Sequence, residues 1–313
     1  VIMYKSVVFV SILIAALYKL QQKSGVLNVV HDHAPGVCKV VEGPVRGSED
    51  VELVRSLDLS FITSAIFEKE GKMFVYDYSQ DRSGRSLRAR PITVENLPYP
   101  LDEFHPHGLS HWIVDGKVQL YVINHSPTHG NSIEFLDYDA KSDKLVYKKS
   151  LKDPLLIRPN GLVSVGAGQF IFTNDGYATS SLGNALEILF GYRGGSVVYF
   201  DGKKTQELLT GMGSPNGLAY DVKNNKLFVA ELAEKLVHVY DLDKNSIKVT
   251  HILAVDVQSS CDNLYFDEND GSVYSGCHPK LIKIAVALSK CKDDDDAASH
   301  APSQVTGCSK CKR

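Results

Sequence analysis

The sequence predicts an all-β fold, and specifically a β-propeller with four strands in each blade. One short phrase recurs at residues 106–109, 159–162 and 215–218, with a looser fourth copy at 261–264. The copies are about fifty residues apart, a period typical of stacked or radially arranged structural units. Apolar or alternating runs separated by Gly, Asn and Asp turns follow each copy, as expected for β-strands joined by tight turns.

A hydrophobic segment precedes the predicted propeller. Residues 7–17 form an apolar run between Lys5 and Lys19, and no small-x-small cleavage site follows it. The run is shorter than the roughly 20 residues that span a membrane, but it has the length of a signal-sequence core. We therefore expect residues 1–23 to be a signal anchor or an uncleaved signal peptide that contacts a membrane or lipid surface. The protein would then be anchored in the endoplasmic reticulum or at the cell surface, or be secreted with this segment retained.

The rest of the chain divides into three parts. We expect residues 24–46 to be a linker and the strand that enters the domain, residues 47–290 to be the propeller, and residues 291–313 to be a disordered tail. The tail contains an acidic run at 293–296 and several cysteines. A length of 313 residues suits one large all-β domain. The net charge of -3 and the lack of a basic stripe argue against a nucleic-acid partner.

The recurring phrase predicts a metal site. The residue after the proline is polar in each of the three clear copies, although its identity changes. In a propeller the same position of every blade faces one central channel, so these side chains should converge. Carboxylate and amide oxygens are hard ligands that suit Ca²⁺. The predicted calcium ligands are Glu49, Asn160, Asn216, Asp262 and Asn263, with His107 beside them.

Two alternatives to this site remain open. Asn-Gly and Asp-Asn are common turn dipeptides, and a repeat could reuse them for backbone reasons alone. The second alternative is a zinc site, since alternate residues of a strand point to one face; its candidate ligands are His105, His107, His111 and His125. A single Cys-x-x-Cys pair at Cys308 and Cys311 is only a weak indication of zinc or redox chemistry.

Several motifs, taken together, resemble the serum paraoxonase/arylesterase family. They occur in order along the chain: Cys38 ahead of Gly-Ser-Glu-Asp at 47–50, Phe-His-Pro-His-Gly-Leu-Ser at 104–110, Val-Ile-Asn-His at 122–125, Thr-Asn-Asp at 173–175, Ala-Glu-Leu at 230–232 and Gly-Cys-His-Pro at 276–279. The resemblance implies a six-bladed propeller with two calcium ions in its channel. It also implies hydrolysis of lactones and aryl esters, with a small lipophilic ester or lactone as substrate.

The resemblance also implies residue roles. The catalytic calcium ligands of the family fall on the same five residues that the repeat selects, and its histidine dyad falls on His107 and His125. Its buried structural calcium would use Asp50 and the backbone carbonyl of Leu109. Calcium would polarise the substrate carbonyl while His107 accepts the proton of the attacking water and His125 orients it. Glu49 or Asp262 as the base is the alternative.

Two cysteines of this chain match cysteines of the family, and three features of the chain differ from the family pattern. Cys38 matches a cysteine that pairs with a C-terminal cysteine, whose identity stays open here, and Cys277 matches a free thiol. Gly161 stands where the family has an aspartate, which weakens the structural calcium site. Gly176 replaces a histidine near the active site. After Ile284 the sixth blade of the family is not recognisable.

Two other functions stay open. Gluconolactonase-like sugar lactonases use a similar calcium cluster but lack the Gly-Ser-Glu-Asp and Gly-Cys-His-Pro motifs. A non-catalytic, paraoxonase-like membrane-anchored chaperone of the endoplasmic reticulum is favoured by the predicted anchor, Gly161 and Gly176. Residues 176–195 are expected to be a specificity loop, with a short amphipathic helix at 186–192 that faces a membrane, a lipophilic substrate or the propeller. Asn124-His125-Ser126 is a glycosylation sequon, although it lies in an apolar strand.

Overall fold

A computed structural model describes residues 10–11, 14, 17–18, 21–31, 36–37, 39–45, 47–65, 68–82, 87–180, 182–184, 187, 191–290 and 301–308. Within these residues, twenty β-strands form five sheets that are arranged as the blades of a propeller. The predicted all-β propeller is therefore confirmed. A sixth blade is not among the described residues, and it stays a prediction.

The strands follow the chain from blade to blade, and the first strand of blades 1, 3, 4 and 5 is the innermost. Blade 1 contains β1 (Val51–Val54), β2 (Leu59–Ser64), β3 (Lys72–Asp77) and β4 (Arg90–Ile92). Blade 2 contains β5 (Val94–Glu95), β6 (Pro106–Val114), β7 (Lys117–Ser126), β8 (Gly130–Asp139) and β9 (Lys144–Leu151). In this blade β6 is innermost, and β5 adds to β9 as a short parallel strand.

The remaining blades repeat the plan. Blade 3 contains β10 (Pro159–Gly166), β11 (Gln169–Asn174), β12 (Gly195–Phe200) and β13 (Thr205–Met212). Blade 4 contains β14 (Pro215–Asp221), β15 (Lys226–Glu231), β16 (Leu236–Asp243) and β17 (Lys248–Asp256). Blade 5 contains β18 (Ser260–Asp267), β19 (Ser272–His278) and β20 (Gln304–Cys308), with a helix at Leu281–Lys290 between the last two. Short 3₁₀ turns occur at Arg55–Leu57, Tyr78–Arg82, Leu101–Glu103 and Leu232–Glu234.

Local sequence accounts for the hairpins and for the packing between blades. Asp115 and Gly116 both have positive φ and join β6 to β7, which is the two-residue turn that matches the twist of a hairpin. Strands rich in Val, Ile, Phe and Tyr bury both faces where a sheet lies between two other blades. The apolar clusters therefore lie between successive blades; examples are Phe61 with Leu136, Phe135 with Phe170, Val197 with Val229, and Phe228 with Phe266.

The N-terminal segment is described in part. Most of the predicted anchor lies outside the described residues, and among those described no helix is long and apolar enough to cross a membrane. Residues 21–24 are helical and contact blade 4, where Lys23 Nζ lies 2.9 Å from Glu234 Oε1. Asn28 Nδ2 donates a hydrogen bond of 2.8 Å to the carbonyl oxygen of Pro279. The segment therefore bridges the ends of blades 4 and 5.

The structure differs from two sequence-based expectations in blade 5. Gln304–Cys308 fall in the segment predicted to be a disordered tail, but they pair with β19, whose edge is otherwise open. The expectation that Cys277 is a free thiol is wrong, because Cys277 forms a disulfide with Cys261, which lies directly opposite it on β18. Cys308 is a free thiol. Cys38 lies outside the described residues, so its pairing with a C-terminal cysteine stays a prediction.

Candidate active site

Glycines of the recurring phrase bring the backbones of successive innermost strands into contact. An ideal Cβ on each would lie only 2.2, 2.4 and 2.3 Å from a carbonyl oxygen of the next copy, in the pairs Gly108 with Asn160, Gly161 with Asn216, and Gly217 with Asp262. Real Cβ atoms do not approach this closely, so only glycine permits the contact. The glycines are therefore required by a neighbouring strand as well as by any local turn.

The predicted calcium ligands form a closed circle of contacts, which we call the ligand circle. His107 Nδ1 lies 3.2 Å from Glu49 Oε2 and 3.3 Å from the carbonyl oxygen of Asn160. Asn263 Nδ2 donates a hydrogen bond of 2.9 Å to the carbonyl oxygen of Glu49. The glycine pairs described above connect the remaining members. The structure therefore brings all five predicted ligands and His107 together.

Three side-chain oxygens of the ligand circle are buried, and no described residue donates a hydrogen bond to them. They are Glu49 Oε2, Asn160 Oδ1 and Asn216 Oδ1; the contact of His107 with Glu49 lacks hydrogen-bond geometry. Each such oxygen costs about 1–3 kcal/mol when it is left without a partner. Burial and the neighbouring charges of Asp50 and Asp262 also raise the pKa of Glu49 well above its usual value. A cation would relieve both penalties, and this set of carboxylate and amide oxygens fits calcium.

The histidines do not assemble into the alternative zinc site. Among the described residues, no three His, Cys, Asp or Glu side chains are placed to hold a metal ion. His111 Nδ1 instead lies 2.7 Å from Glu52 Oε1, and His105 Nε2 lies 3.1 Å from the carbonyl oxygen of Asp102. The ligand circle differs from a zinc site of histidines, because its predicted ligands are two carboxylates and three side-chain amides.

Asp50 and Leu109 meet, but through different atoms from those that the family resemblance implies. The Leu109 amide donates a hydrogen bond of 3.0 Å to Asp50 Oδ2, and the Val51 amide donates one of 2.8 Å to Oδ1. Burial raises the pKa of Asp50 to about 7. Each carboxylate oxygen of Asp50 accepts one amide hydrogen and keeps a second lone pair. Gly161 has no room for a side chain, so the site lacks the aspartate of the family, and the second calcium stays a prediction.

His107 and His125 are in contact, as the predicted dyad requires. Their ring centroids are 4.9 Å apart and the rings are nearly perpendicular. Burial lowers the pKa of His107 to about 3, with a further contribution from His125, and burial also lowers the pKa of His125. Both imidazoles are therefore neutral near pH 7, and the same burial makes them weaker bases than a free imidazole. An ionised Glu49 beside Nδ1 opposes this effect and makes His107 a stronger base.

Asn131 determines which nitrogen of His125 carries the proton. Asn131 Nδ2 donates to the carbonyl oxygens of Leu156 and Ile157 at 3.2 and 3.0 Å, so its Oδ1 faces the histidine. His125 Nδ1 lies 2.8 Å from that oxygen and must be the donor. Nε2 is then the basic nitrogen of the neutral ring. Sequence reasoning missed Asn131, which belongs to no motif.

A second repeated position lies opposite the prolines of the phrase. Its side chains are almost fully buried, and the register pairs them with the prolines as follows: Asn124 with Pro106, Asn174 with Pro159, and Glu231 with Pro215. Each accepts a hydrogen bond from a backbone amide just before the innermost strand, at 2.7, 2.9 and 2.6 Å for the amides of His105, Arg158 and Gly213. These side chains therefore position the strands that carry the ligand circle. In the sequence, these three residues are linked only by their spacing of about fifty residues.

The same burial bears on the glycosylation sequon. Asn124 is fully buried, and its Nδ2 donates a hydrogen bond of 3.0 Å to the carbonyl oxygen of Glu103. The folded protein therefore has no room for a glycan at Asn124, contrary to the expectation from the sequon.

Of the two carboxylates in the ligand circle, Asp262 is the more exposed. The side chain of Asp262 is 34% exposed, whereas that of Glu49 is 16% exposed. His278 Nε2 lies 3.2 Å from Asp262 Oδ2. His278 belongs to the Gly-Cys-His-Pro motif, but the sequence alone predicts no role for it. The structure places His278 against Asp262, the more exposed carboxylate of the circle.

Arg158 ties the predicted specificity loop to the strand that carries Asn160. Arg158 Nε donates to Asp175 Oδ1 at 2.8 Å, and Nη1 donates to Glu187 Oε2 at 2.9 Å. An ideal Cβ on Gly176 would lie 2.6 Å from both Arg158 Nη1 and Glu187 Oε2. The glycine in place of the family histidine therefore leaves room for this ion-pair cluster, and a larger residue would require the ends of the Arg158 and Glu187 side chains to shift. Most of the helix predicted at 186–192 lies outside the described residues.

Comparison with known proteins identifies related sequences and a related fold. A family model described as arylesterase matches residues 30–300. Serum paraoxonase/lactonase 3 of Oryctolagus cuniculus is 28% identical over 278 residues, which cover 86% of this chain and 76% of that protein. Serum paraoxonase/arylesterase 2 of Gallus gallus is 28% identical over 257 residues, which cover 79% and 70%. In fold alone, a luciferin-regenerating enzyme is similar, with a TM-score of 0.51 and 13% identity over 75% of this chain and 70% of that one.

Proposed function

Because this chain belongs to the arylesterase family, we propose that it hydrolyses lactones and aryl esters in a calcium-dependent reaction at the ligand circle. The observation that carries the calcium assignment is the group of three buried oxygens to which no described residue donates a hydrogen bond. The relatives are named paraoxonase, arylesterase and lactonase. We extend ester and lactone substrates to this chain on that basis, and expect the substrate to be small and lipophilic.

The charges of the ligand circle suit a cation that also contacts substrate. When bound, calcium supplies a Lewis acid that polarises the ester carbonyl and stabilises negative charge on its oxygen. Glu49 and Asp262 contribute two negative charges, and the three asparagines are neutral oxygen donors. The greater exposure of Asp262 leaves that side of the circle accessible to water and substrate.

The proton of the attacking water passes to a neutral imidazole. His107 is neutral at physiological pH because burial lowers its pKa, and it lies against Glu49 and Asn160 at the circle. His125 contacts the His107 ring and, with its Nδ1–H held by Asn131, presents Nε2 as a proton acceptor. The pair can therefore hold the proton while the ester bond breaks and then release it to solvent or to the leaving group.

The proposal also includes the cellular location of the protein and the number of blades in the propeller. The apolar run at 7–17 supports targeting to the secretory pathway, with residues 1–23 retained as a membrane anchor in the endoplasmic reticulum or at the cell surface, or kept on a secreted protein. Family membership supports a six-bladed ring in which the sixth position lies between β18 and β1. Resistance of the expressed protein to alkaline carbonate extraction from membranes is expected for an anchor, and full extraction would contradict it.

The test of the proposed function is a panel of lactones and aryl esters assayed with calcium, with a calcium chelator, and after calcium is restored. We expect hydrolysis with calcium, loss on chelation, and recovery with calcium but not with magnesium, which demands a tighter octahedral site. Hydrolysis that is unaffected by chelation would contradict calcium dependence. A calcium-bound protein inactive on every substrate would instead support the chaperone function.

A further inference from the structure

Three ionisable side chains connect neighbouring strands of blade 4, from the buried Glu231 to the outermost strand. Glu231 on β15 is buried, and its Oε2 lies 2.8 Å from His238 Nε2 on β16. His238 Nδ1 lies 3.3 Å from Nε2 of His251, an exposed residue of β17. Two imidazole nitrogens of neighbouring strands therefore face each other at the protein surface, and one ring is anchored to a buried carboxylate.

Glu231 fixes the protonation of His238. Its Oε1 accepts a hydrogen bond of 2.6 Å from the Gly213 amide and lies 2.6 Å from Arg193 Nη2, so Oε2 remains for the histidine. Although burial acts in the opposite direction, hydrogen bonds from His238 and Gly213 keep the pKa of Glu231 below its usual value, and the carboxylate stays ionised. His238 Nε2 is therefore the donor, and Nδ1 presents a lone pair toward His251.

We propose that His238 Nδ1 and His251 Nε2 form a surface binding site for a zinc-like transition-metal ion. Two imidazole nitrogens bound to zinc at about 2.0–2.1 Å in a tetrahedral arrangement are about 3.3–3.4 Å apart. The observed separation of 3.3 Å matches that spacing. Without metal, His251 Nε2 can donate an N–H···N hydrogen bond to His238 Nδ1 at this distance, and metal binding would replace that proton. Imidazole is a preferred ligand of zinc, copper and nickel, whereas calcium prefers oxygen, so the two sites select different metals.

The surroundings of the two rings support this site. A metal-binding histidine commonly donates its second N–H to a carboxylate, which is the arrangement of His238 with Glu231. The Tyr240 ring packs against both imidazoles, with centroid distances of 5.9 Å to His238 and 5.2 Å to His251. The two histidines are the protein ligands of the site, and because His251 is exposed, water completes the coordination. Bound metal would link β17, the outermost strand of blade 4, to β16.

The test is zinc titration of the calcium-loaded full chain without an affinity tag, followed by competition with a zinc-binding dye and by thermal unfolding. We expect zinc to bind and raise the melting temperature, and His251→Ala to remove that contribution. His129→Ala is the matched control, because His129 is a largely exposed histidine that also pairs with a glutamate. Glu231→Gln should lower zinc affinity about 10- to 100-fold through the orientation of His238.

Cobalt absorption provides a second readout, since imidazole ligands lack the charge-transfer band of the thiolates that Cys308 and Cys311 would supply. An imidazole-type cobalt spectrum in the parent that disappears in His251→Ala supports the site. No zinc binding by the parent, or identical zinc affinity in the parent and in His251→Ala, would overturn it.

Discussion

The ligand circle is joined in two different ways. On one side, Gly108, Gly161 and Gly217 place the backbones of successive innermost strands in contact. On the other side, between β18 and β1, the links are side chains: Asn263 to the carbonyl oxygen of Glu49 at 2.9 Å, and Arg55 to Asp267 at 3.2 Å. Val51 on β1 is 56% exposed, whereas the strands on the glycine side are packed between blades.

This difference indicates which part of the circle forms on folding alone and which part depends on a bound metal. Backbone contacts at the glycine pairs do not depend on a ligand, and neither do the hydrogen bonds of buried Asn174 and Glu231, so the protein positions Asn160 and Asn216 without a metal. Glu49 is positioned by polar side chains, and its buried charge opposes the closed arrangement unless a cation compensates it. Calcium binding and closure between β18 and β1 should therefore be linked.

Gly161→Ala should have the largest effect, because it acts on the glycine side. The added Cβ would meet the Asn216 carbonyl oxygen at 2.4 Å, so the two strands must separate. We expect a loss of about 3 kcal/mol in the free energy of unfolding, together with loss of hydrolysis. Gly276→Ala is the matched control, since its Cβ would meet nothing within 4 Å. Denaturant unfolding measures both, and equal stability of the two variants would refute the role given to the glycine pairs.

Asp262→Ala and Asn216→Ala should abolish hydrolysis while the protein stays folded. Each substitution removes an oxygen ligand. Asp262→Ala should weaken calcium binding more than Asn216→Ala does, because it removes one of the two carboxylates. Calorimetric calcium titration and ester hydrolysis measure the two effects. Glu207→Ala, at an exposed acidic position of β13, is the control and should change neither. Full activity in both variants with calcium present would show that the ligand circle is not catalytic.

His107→Gln separates proton transfer from metal binding. His107 is not a predicted ligand, so calcium affinity should be kept, while hydrolysis should fall by about 10²- to 10⁴-fold, as is typical when a general base is lost. The loss should be larger for poorly activated lactones than for aryl esters with good leaving groups. A calcium-bound variant with near-normal rates on both substrates would transfer the base role to Glu49 or Asp262.

Arg55→Ala should have the smallest effect. The Arg55 side chain is 47% exposed in its ion pair with Asp267, and exposed pairs contribute at most about 1 kcal/mol. If the junction between β18 and β1 relies on calcium, the stability loss should be larger with chelator than with calcium. Thermal unfolding under the two conditions measures this, and equal losses would argue that the junction is independent of the metal.

The repeated phrase explains why the propeller and the ligand circle could be predicted from sequence. Identical positions of a propeller converge, so a fifty-residue period identifies Asn160, Asn216 and Asp262 without any knowledge of contacts. Gly161 and Gly217 follow Asn160 and Asn216, and from the sequence an Asn-Gly turn is an open alternative at both positions. Their role in strand contact depends on a neighbour about fifty residues away, which local reasoning does not show.

Other features depend on register or on side-chain pairs that have no sequence signal. The Cys261–Cys277 disulfide follows from the pairing of β18 with β19, and neither cysteine indicates that register. Asn131 acts through two carbonyl oxygens of a following loop, and Arg158 acts through Glu187, about thirty residues further on. Gln304–Cys308 were assigned to a tail because of the acidic run before them, whereas the open edge of β19 determines their structure.

Hydrogen exchange with calcium and with chelator tests most directly the claim that a bound cation closes the side-chain side of the circle. The account predicts that chelation accelerates exchange at the amides of β18 and at residues 49–54, while the amides of β10 and β14, joined by Gly161 and Asn216, keep their protection. Exchange that is unchanged by chelation, or that increases equally in β10, β14 and β18, would contradict it.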